Sequence, residues 1–281
     1  MGLYIMDMKK MKVSLFSQSL FSLSLTEAIK TTAEIGFPSI ELACTKPHFD
    51  IETASKDPYR IAEQIRNEGL TVSALSLFNN FTDKTCLDDQ IEKAMMYIRM
   101  ATLFKTEVIK MTPGPPGSAI ATEEHWHCLG IALDQLVPVA EEVGVRLAFE
   151  THMRQLTDTL AGAERLLKMT RSDKIGLTVD FSNLTFAGEN ISEVISVLAE
   201  HTYNTHLKNG TIGNNGDWHF KSLNDGLTNY LTVLSLLRDI NYNGYLTIEC
   251  LSPEASEKPF ENAKRDLSIL TSYLEQVKYP I

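Results

Sequence analysis

The sequence predicts an α/β fold, a closed (β/α)8 barrel in a single domain, and three observations carry that prediction. Short apolar runs alternate with amphipathic stretches from end to end, giving eight strand–helix units with no linker between them. Glycine closes the stretch before a predicted strand at Gly36, Gly69, Gly144 and Gly244, where it would stop a helix. The competing architecture, an open doubly wound sheet, would carry a glycine-rich phosphate turn after its first strand, and Ser17–Leu25 contains no glycine.

The elements follow in order. The first strand is Lys12–Ser17; Thr26 is the expected N-cap of the first helix, which ends at Gly36. Ser39–Ala43 is the second strand. The second helix starts near Asp57–Pro58, with proline in the first turn, and ends at Gly69. Thr71–Leu77 is the third strand. Asp88–Phe104 is a helix with Ile91, Met95, Ile98 and Thr102 on one face, its methionines serving as core filler. Glu107–Thr112 is the fourth strand. Glu123–Val143 keeps a helical period through Trp126, Leu129, Leu133, Leu136 and Ala140, with Pro138 inside it. Strand Arg146–Glu150 then precedes helix Leu160–Met169, and strand Ile175–Asp180 precedes helix Ile191–Ala199. Strand Tyr203–Lys208 precedes helix Asn229–Ile240, and strand Tyr245–Cys250 precedes helix Pro259–Gln276.

The last four strands each deliver a metal-type ligand at or near the C-terminal end: Glu150, Asp180, His206 and Glu249. In such barrels that end carries the active site. Residues two apart on a strand share a face. Counting back in twos from the ligands gives Ala148, Arg146, Thr178, Gly176, Asn204, Thr247 and Tyr245, mostly small or polar. The opposite parity gives Phe149, Leu147, Val179, Leu177, Ile248 and Leu246, suited to packing under outer helices. The four ligands therefore point into one ring. Three carboxylates and an imidazole make a hard-donor site for one divalent ion, Mn²⁺, Mg²⁺ or Co²⁺, with Zn²⁺ also compatible.

In order and spacing, GFPSIEL (Gly36–Leu42), AEEVGVRLAFETH (Ala140–His152), GLTVDFSN (Gly176–Asn183), THLKNG (Thr205–Gly210) and GYLTIE (Gly244–Glu249) resemble the xylose isomerase-like TIM-barrel family of sugar and sugar-phosphate isomerases and epimerases. The superfamily also holds keto-inositol-processing enzymes and abasic-site endonucleases. The resemblance, over Lys12–Tyr273, implies that Glu150, Asp180, His206 and Glu249 hold one metal ion. It also implies that Glu150 and Glu249 act as the catalytic acid/base pair, passing a proton through a cis-enediolate of a small ketose or keto-sugar. An alternative outcome of the same enolisation is a lyase or dehydratase reaction on a keto-inositol or keto-sugar; a non-catalytic sugar-binding barrel is a remote third. Two positions depart from the family pattern: Asn183 stands where a histidine is common, and Asn209 where an aspartate is common. His152, Asn183 and Lys208 are expected to meet substrate oxygens. His219, in the glycine- and asparagine-rich loop Asn209–Gly226, is a fourth candidate, because loops of that length in compact domains are usually lids. His48 and the stiff loop Met111–Ser118 are candidate pocket walls.

Composition bounds the partners. A hydrophobic content of 43% and a charged content of 22% suit a globular protein with a sizeable core. A formal net charge of −10 repels phosphate backbones, so nucleic acid is excluded as a partner. The third and fourth strands end LSLFNN and KMTPG, without the added histidines a three-metal nuclease needs. The turn after the last strand, LSPEAS, offers Pro253 without an amide and Glu254, so phosphate is not expected in the substrate. Cys44, Cys86, Cys128 and Cys250 lie far apart and read as reduced thiols of a cytoplasmic protein. Residues 1–10 read as a disordered leader before a domain at 11–281. Lys9, Lys10 and Lys12 ahead of Val13–Leu25 faintly resemble a secretory signal, but serines and Gln18 interrupt the run and no small-residue cleavage site follows. No run approaches a membrane span. The expected partners are a small carbohydrate and, in a homo-oligomer, further copies of the chain.

Overall fold

The computed structural model describes residues 12–278; the predicted leader lies outside them. Eight parallel strands close into a barrel: β1 (Lys12–Phe16), β2 (Ser39–Ala43), β3 (Thr71–Ser76), β4 (Val108–Met111), β5 (Arg146–Glu150), β6 (Ile175–Asp180), β7 (Thr202–Leu207) and, after a hairpin β8–β9, β10 (Tyr245–Ile248). The ring order is β1-β10-β7-β6-β5-β4-β3-β2, the sequence order of a barrel wound once. The expected fold class is the observed one.

The two strand faces separate as their parity requires. Leu147, Phe149, Leu177, Val179, Leu246 and Ile248 lie in the main core between barrel and helices. Ala74, Val108 and Ala148 form a separate cluster inside the barrel, with Tyr203 packed against it. Truncating a fully buried leucine such as Leu147 to alanine should cost roughly 2–5 kcal/mol.

Helices α1 (Leu25–Ile35), α3 (Pro58–Asn67), α4 (Leu87–Phe104), α5 (Glu123–Val143), α6 (Leu160–Lys168), α8 (Ile191–Leu198), α9 (Tyr230–Asp239) and α11 (Pro259–Gln276) supply the eight outer positions. Ser24, rather than Thr26, caps α1: its hydroxyl accepts from Glu27 N while Glu27 Oε2 accepts from Ser24 N, a capping box that outcompetes a lone threonine in the first turn. Gly36 and Gly144 end α1 and α5 with φ of 104° and 82°. Gly244 does not stop a helix. Asn241 takes the left-handed turn after α9 with φ 55°, and Gly244 is needed because a Cβ there would meet Tyr242 Oη at 2.2 Å.

Four short elements add to the expected plan: α2 (Ile51–Lys56), α7 (Phe181–Phe186), α10 (Pro253–Glu257) and the antiparallel hairpin of β8 (Asn209–Ile212) and β9 (Trp218–Lys221). The hairpin replaces most of the expected loop Asn209–Gly226. Its base is fixed by Asn209, whose Nδ2 donates to Leu223 O and Thr228 O while Oδ1 accepts from Gly210 N and Thr228 N. Asn209 thus spends its whole hydrogen-bonding capacity on the hairpin rather than on the barrel mouth.

Candidate metal centre and active site

Register brings the ligands together. Asp180 pairs directly with His206 across β6 and β7, His206 with Thr247 across β7 and β10, and Glu150 with Thr178 across β5 and β6. Ligand atoms of Glu150, Asp180, His206 and Glu249 all lie within 4.8 Å of one another, and all four residues are buried. Asp180 also accepts from Asn183 N at 2.9 Å, so the N-terminus of α7 fixes its carboxylate.

His206 Nδ1 is the atom that tests for a metal. It is buried without a hydrogen bond, 3.4 Å from Glu150 Oε1 and 3.9 Å from Glu249 Oε2. The other ring nitrogen, Nε2, is 2.8 Å from Glu41 Oε1. A carboxylate behind one nitrogen, leaving the other facing three carboxylates, is the arrangement that orients a histidine toward a divalent ion. The donor set fits such an ion.

Buried cations lie against the carboxylates. Lys208 Nζ bridges Asp180 Oδ2 and Glu249 Oε2, each at 2.8 Å. Lys110 Nζ lies 2.5 Å from Glu150 Oε2 and 4.8 Å from the Phe78 ring centroid. Burial opposes protonation of His206, yet Glu41 and Glu150 outweigh it and push its pKa up to about 10. Burial likewise opposes the charge on Lys208, which Asp180 and Glu249 nevertheless raise above the usual lysine range. Burial works against ionisation of Glu150, but Lys110, His152 and His206 hold its carboxyl well below the ordinary range. Asp180 moves the other way, raised by burial and by the neighbouring Glu150 and Glu249 against the pull of Lys208. Burial raises Glu41 as well, but His206 and Lys110 more than offset it, and the carboxyl ends below its ordinary value.

Sequence reasoning missed Glu41 and Lys110. Glu41, on β2 and fully buried, accepts from Asn204 Nδ2 at 2.8 Å in addition to facing His206. Lys110, on β4, is 1% exposed. Each is a single charge in an otherwise apolar strand, and that is the signal that could have found them, since such a charge needs a buried partner.

The site opens into a cavity of about 180 Å³ walled by Lys110, His152, Lys208, Phe78, Trp218 and Phe220 beside the two glutamates. His152 lines the cavity too, with Nδ1 2.9 Å from Met153 O, so that Nδ1 donates to that carbonyl. His219 lies exposed on β9, on the opposite face from its neighbours Trp218 and Phe220, which line the chamber. Strand alternation explains the difference. Asn183 donates from Nδ2 to Thr151 O at 2.9 Å, and it lines an adjoining cavity rather than this one. His48 is buried beneath the barrel mouth, 3.1 Å from Ser17 Oγ and 3.3 Å from Leu23 O. Lys110, not the Met111–Ser118 loop, forms the wall from β4. Among the described residues all four cysteines are free, and burial pushes the Cys44 and Cys250 thiols up, away from reactivity. No helix among them is long and apolar enough to cross a membrane.

The chain resembles known proteins in sequence and in fold. The inosose dehydratase of Clostridium perfringens is 26% identical over 166 residues, 54% of this chain and 56% of that protein. The chain thus spans about half the length of the curated relatives it matches. The crystal structure of an IolI protein with a bound zinc atom superposes with a TM-score of 0.81 at 20% identity, covering 96% of this chain and 99% of that one. The structure of an L-ribulose 3-epimerase gives a TM-score of 0.78 at 20% identity, covering 95% and 96%. At these identities the two structures share the fold. A family model described as xylose isomerase-like TIM barrel matches residues 29–273, and the chain therefore belongs to that family.

Proposed function

We propose that this protein is a divalent-metal-dependent enzyme that moves a proton on the carbon next to the ketone of a small, unphosphorylated keto-carbohydrate, as an isomerase or epimerase. The observation that carries the reading is the orphaned His206 Nδ1 among three carboxylates, two of which, Glu150 at the end of β5 and Glu249 just past β10, are separated around the ring by β6 and β7. Glu150, Asp180, His206 and Glu249 would hold the ion. Once bound, Mn²⁺ or a similar ion would stabilise negative charge developing on the ketone oxygen.

The side chains supply the rest. Glu150, held ionised by Lys110, can accept a proton from one side of the reacting carbon. Glu249 can return one from the other side. His152 and Lys208 offer hydrogen bonds to substrate hydroxyls, while Phe78, Trp218 and Phe220 give the chamber an apolar wall. The turn after β10 becomes α10, with Glu254 in its first turn, so that edge of the mouth disfavours a phosphate.

A second reading is a dehydratase, in which the same enolisation is followed by loss of a neighbouring hydroxyl. It is supported by the Lys208 ammonium, 2.8 Å from Glu249, which can hydrogen-bond a departing hydroxyl, and by the relatives named inosose dehydratase. One experiment tests both. The Mn²⁺-loaded protein is incubated in D₂O with a panel of ketoses and keto-inositols and their phosphates. Deuterium entering an intact sugar supports isomerisation or epimerisation. Loss of one water from the product supports dehydration, and no exchange with any member would sink the enolisation chemistry itself.

A further inference from the structure

A second chamber of about 160 Å³ adjoins the first, and the two share Met153 and Trp218 as walls. Its remaining lining comes from the segment between β5 and α6, through Arg154, Asp158 and Thr159, and from α7 and its end, through Asn183, Phe186 and Ala187. Asn183 is 1% exposed, with Nδ2 bonded to Thr151 O, and it closes the wall without offering the chamber a free acceptor. The Arg154 guanidinium lies 4.4 Å from the Trp218 ring centroid and adds donors to the same wall, while Asp158 adds a carboxylate. Donors and acceptors are thus mixed, beside the apolar surfaces of Phe186, Ala187 and Met153. Hydroxyl groups, which donate and accept, match such a wall; an anion would meet Asp158.

We propose that this second chamber is a substrate subsite for a further hydroxylated ring, so that the natural substrate is a two-ring carbohydrate whose keto-bearing ring occupies the first chamber. The two chambers are of similar size, and Trp218, on the β8–β9 hairpin, stands at their junction. Arg154, whose contact holds that indole, is a specificity-determining residue for the second ring. The inference rests on the carbohydrate chemistry proposed above for the first chamber.

Binding is read by calorimetry on the Mg²⁺-loaded protein, with maltose, cellobiose, lactose and trehalose set against glucose and galactose. At least one disaccharide should bind tenfold or more tightly than its own monosaccharides. Ala187→Phe, which fills the second chamber, should bring that ratio to within twofold. Arg154→Ala, at an exposed position that does not threaten folding, should reduce it at least threefold. If no disaccharide outbinds its constituents, or if both variants keep the parental ratio, the subsite is overturned. Because binding is measured without turnover, a preserved disaccharide preference beside a failed deuterium-exchange panel would overturn the chemistry and leave the subsite standing. Exchange on single sugars without any preference would do the reverse.

Discussion

His206 Nε2 stands 2.8 Å from Glu41 Oε1, and this one contact divides the imidazole into a held nitrogen and a free one. Glu41 comes from β2, which is separated from β7 around the ring by β1 and β10, so the contact crosses the barrel interior. Asn204 Nδ2 donates to the other Glu41 oxygen at 2.8 Å and stops the carboxylate from rotating.

Glu41→Gln should therefore weaken metal binding while the four ligands remain. The amide can still accept from Nε2, but it loses the charge that favours the orientation and raises the basicity of the ring. Changes to such supporting carboxylates typically cost about 10–100-fold in metal affinity or activity. Competition with a chromogenic chelator measures the effect, and an affinity equal to the parent's would remove Glu41 from the support of the centre.

Metal affinity should also rise with pH. His206 in the metal-free protein has its pKa pushed up to about 10, so near neutral pH a proton must leave before a metal can take Nδ1. The bound state has lost that proton, so raising pH favours it. Affinity should climb roughly tenfold per pH unit between about pH 7 and 9, for one proton released per ion. A titration in weakly buffered indicator dye counts the proton directly, and a flat affinity over that window would contradict the protonated resting state.

How much of this was legible in the chain follows from where each residue sits. Glu150, Asp180 and Glu249 close alternating runs, so period and position both mark them, and the barrel could be read from those same runs. Glu41 and Lys110 sit inside short apolar strands, SIELA and VIKM, where a pattern search averages the lone charge away. Only burial on both faces of the strand turns that charge into a demand for a partner. The hairpin was hidden for another reason. Its turn residues, Gly213–Asp217, dominate the composition of the stretch, and the alternation in WHFK that puts Trp218 and Phe220 over the chamber is only four residues long. Ser24 was overlooked because Thr26 lies nearer the centre of the apolar pattern, although only Ser24 has a glutamate three residues on.

Lys110→Met should destabilise the protein and shift its acid limb. Lys110 and Glu150 are 1% and 3% exposed at their side chains, 2.5 Å apart, and removing one partner of such a pair costs about 3–5 kcal/mol. The sign of the pH effect follows from Glu150, whose carboxyl is held well below its ordinary range. A depressed pKa contributes stability that is present above the unfolded value and is lost as pH falls through the folded one. Without Lys110 that depression shrinks, so the acid loss of stability should begin at a higher pH. Urea denaturation of the metal-free protein across the acid range reads both effects. Parental stability at neutral pH with an unmoved acid limb would show that the ion pair carries neither.

The last prediction separates the two glutamates. Glu150 is paired with Lys110 and Glu249 with Lys208, so each carboxylate has its own cation and its own approach to the chamber. Glu→Gln keeps the shape of either side chain while removing the base and one negative charge. For an isomerase or epimerase, each variant should lose turnover by a hundredfold or more, in line with general acid–base contributions of about 10²–10⁴. One variant should still wash solvent deuterium into a single epimer, because a surviving base exchanges only from its own side. For a dehydratase the two variants should differ in kind: loss of the carboxylate that takes the first proton abolishes exchange and dehydration together. Loss of the other, beside Lys208, would leave exchange and stop the departure of water. Metal content has to be measured alongside, since both residues would also hold the ion. Retained metal with near-parental turnover in both Glu150→Gln and Glu249→Gln would remove the paired carboxylates from the chemistry altogether.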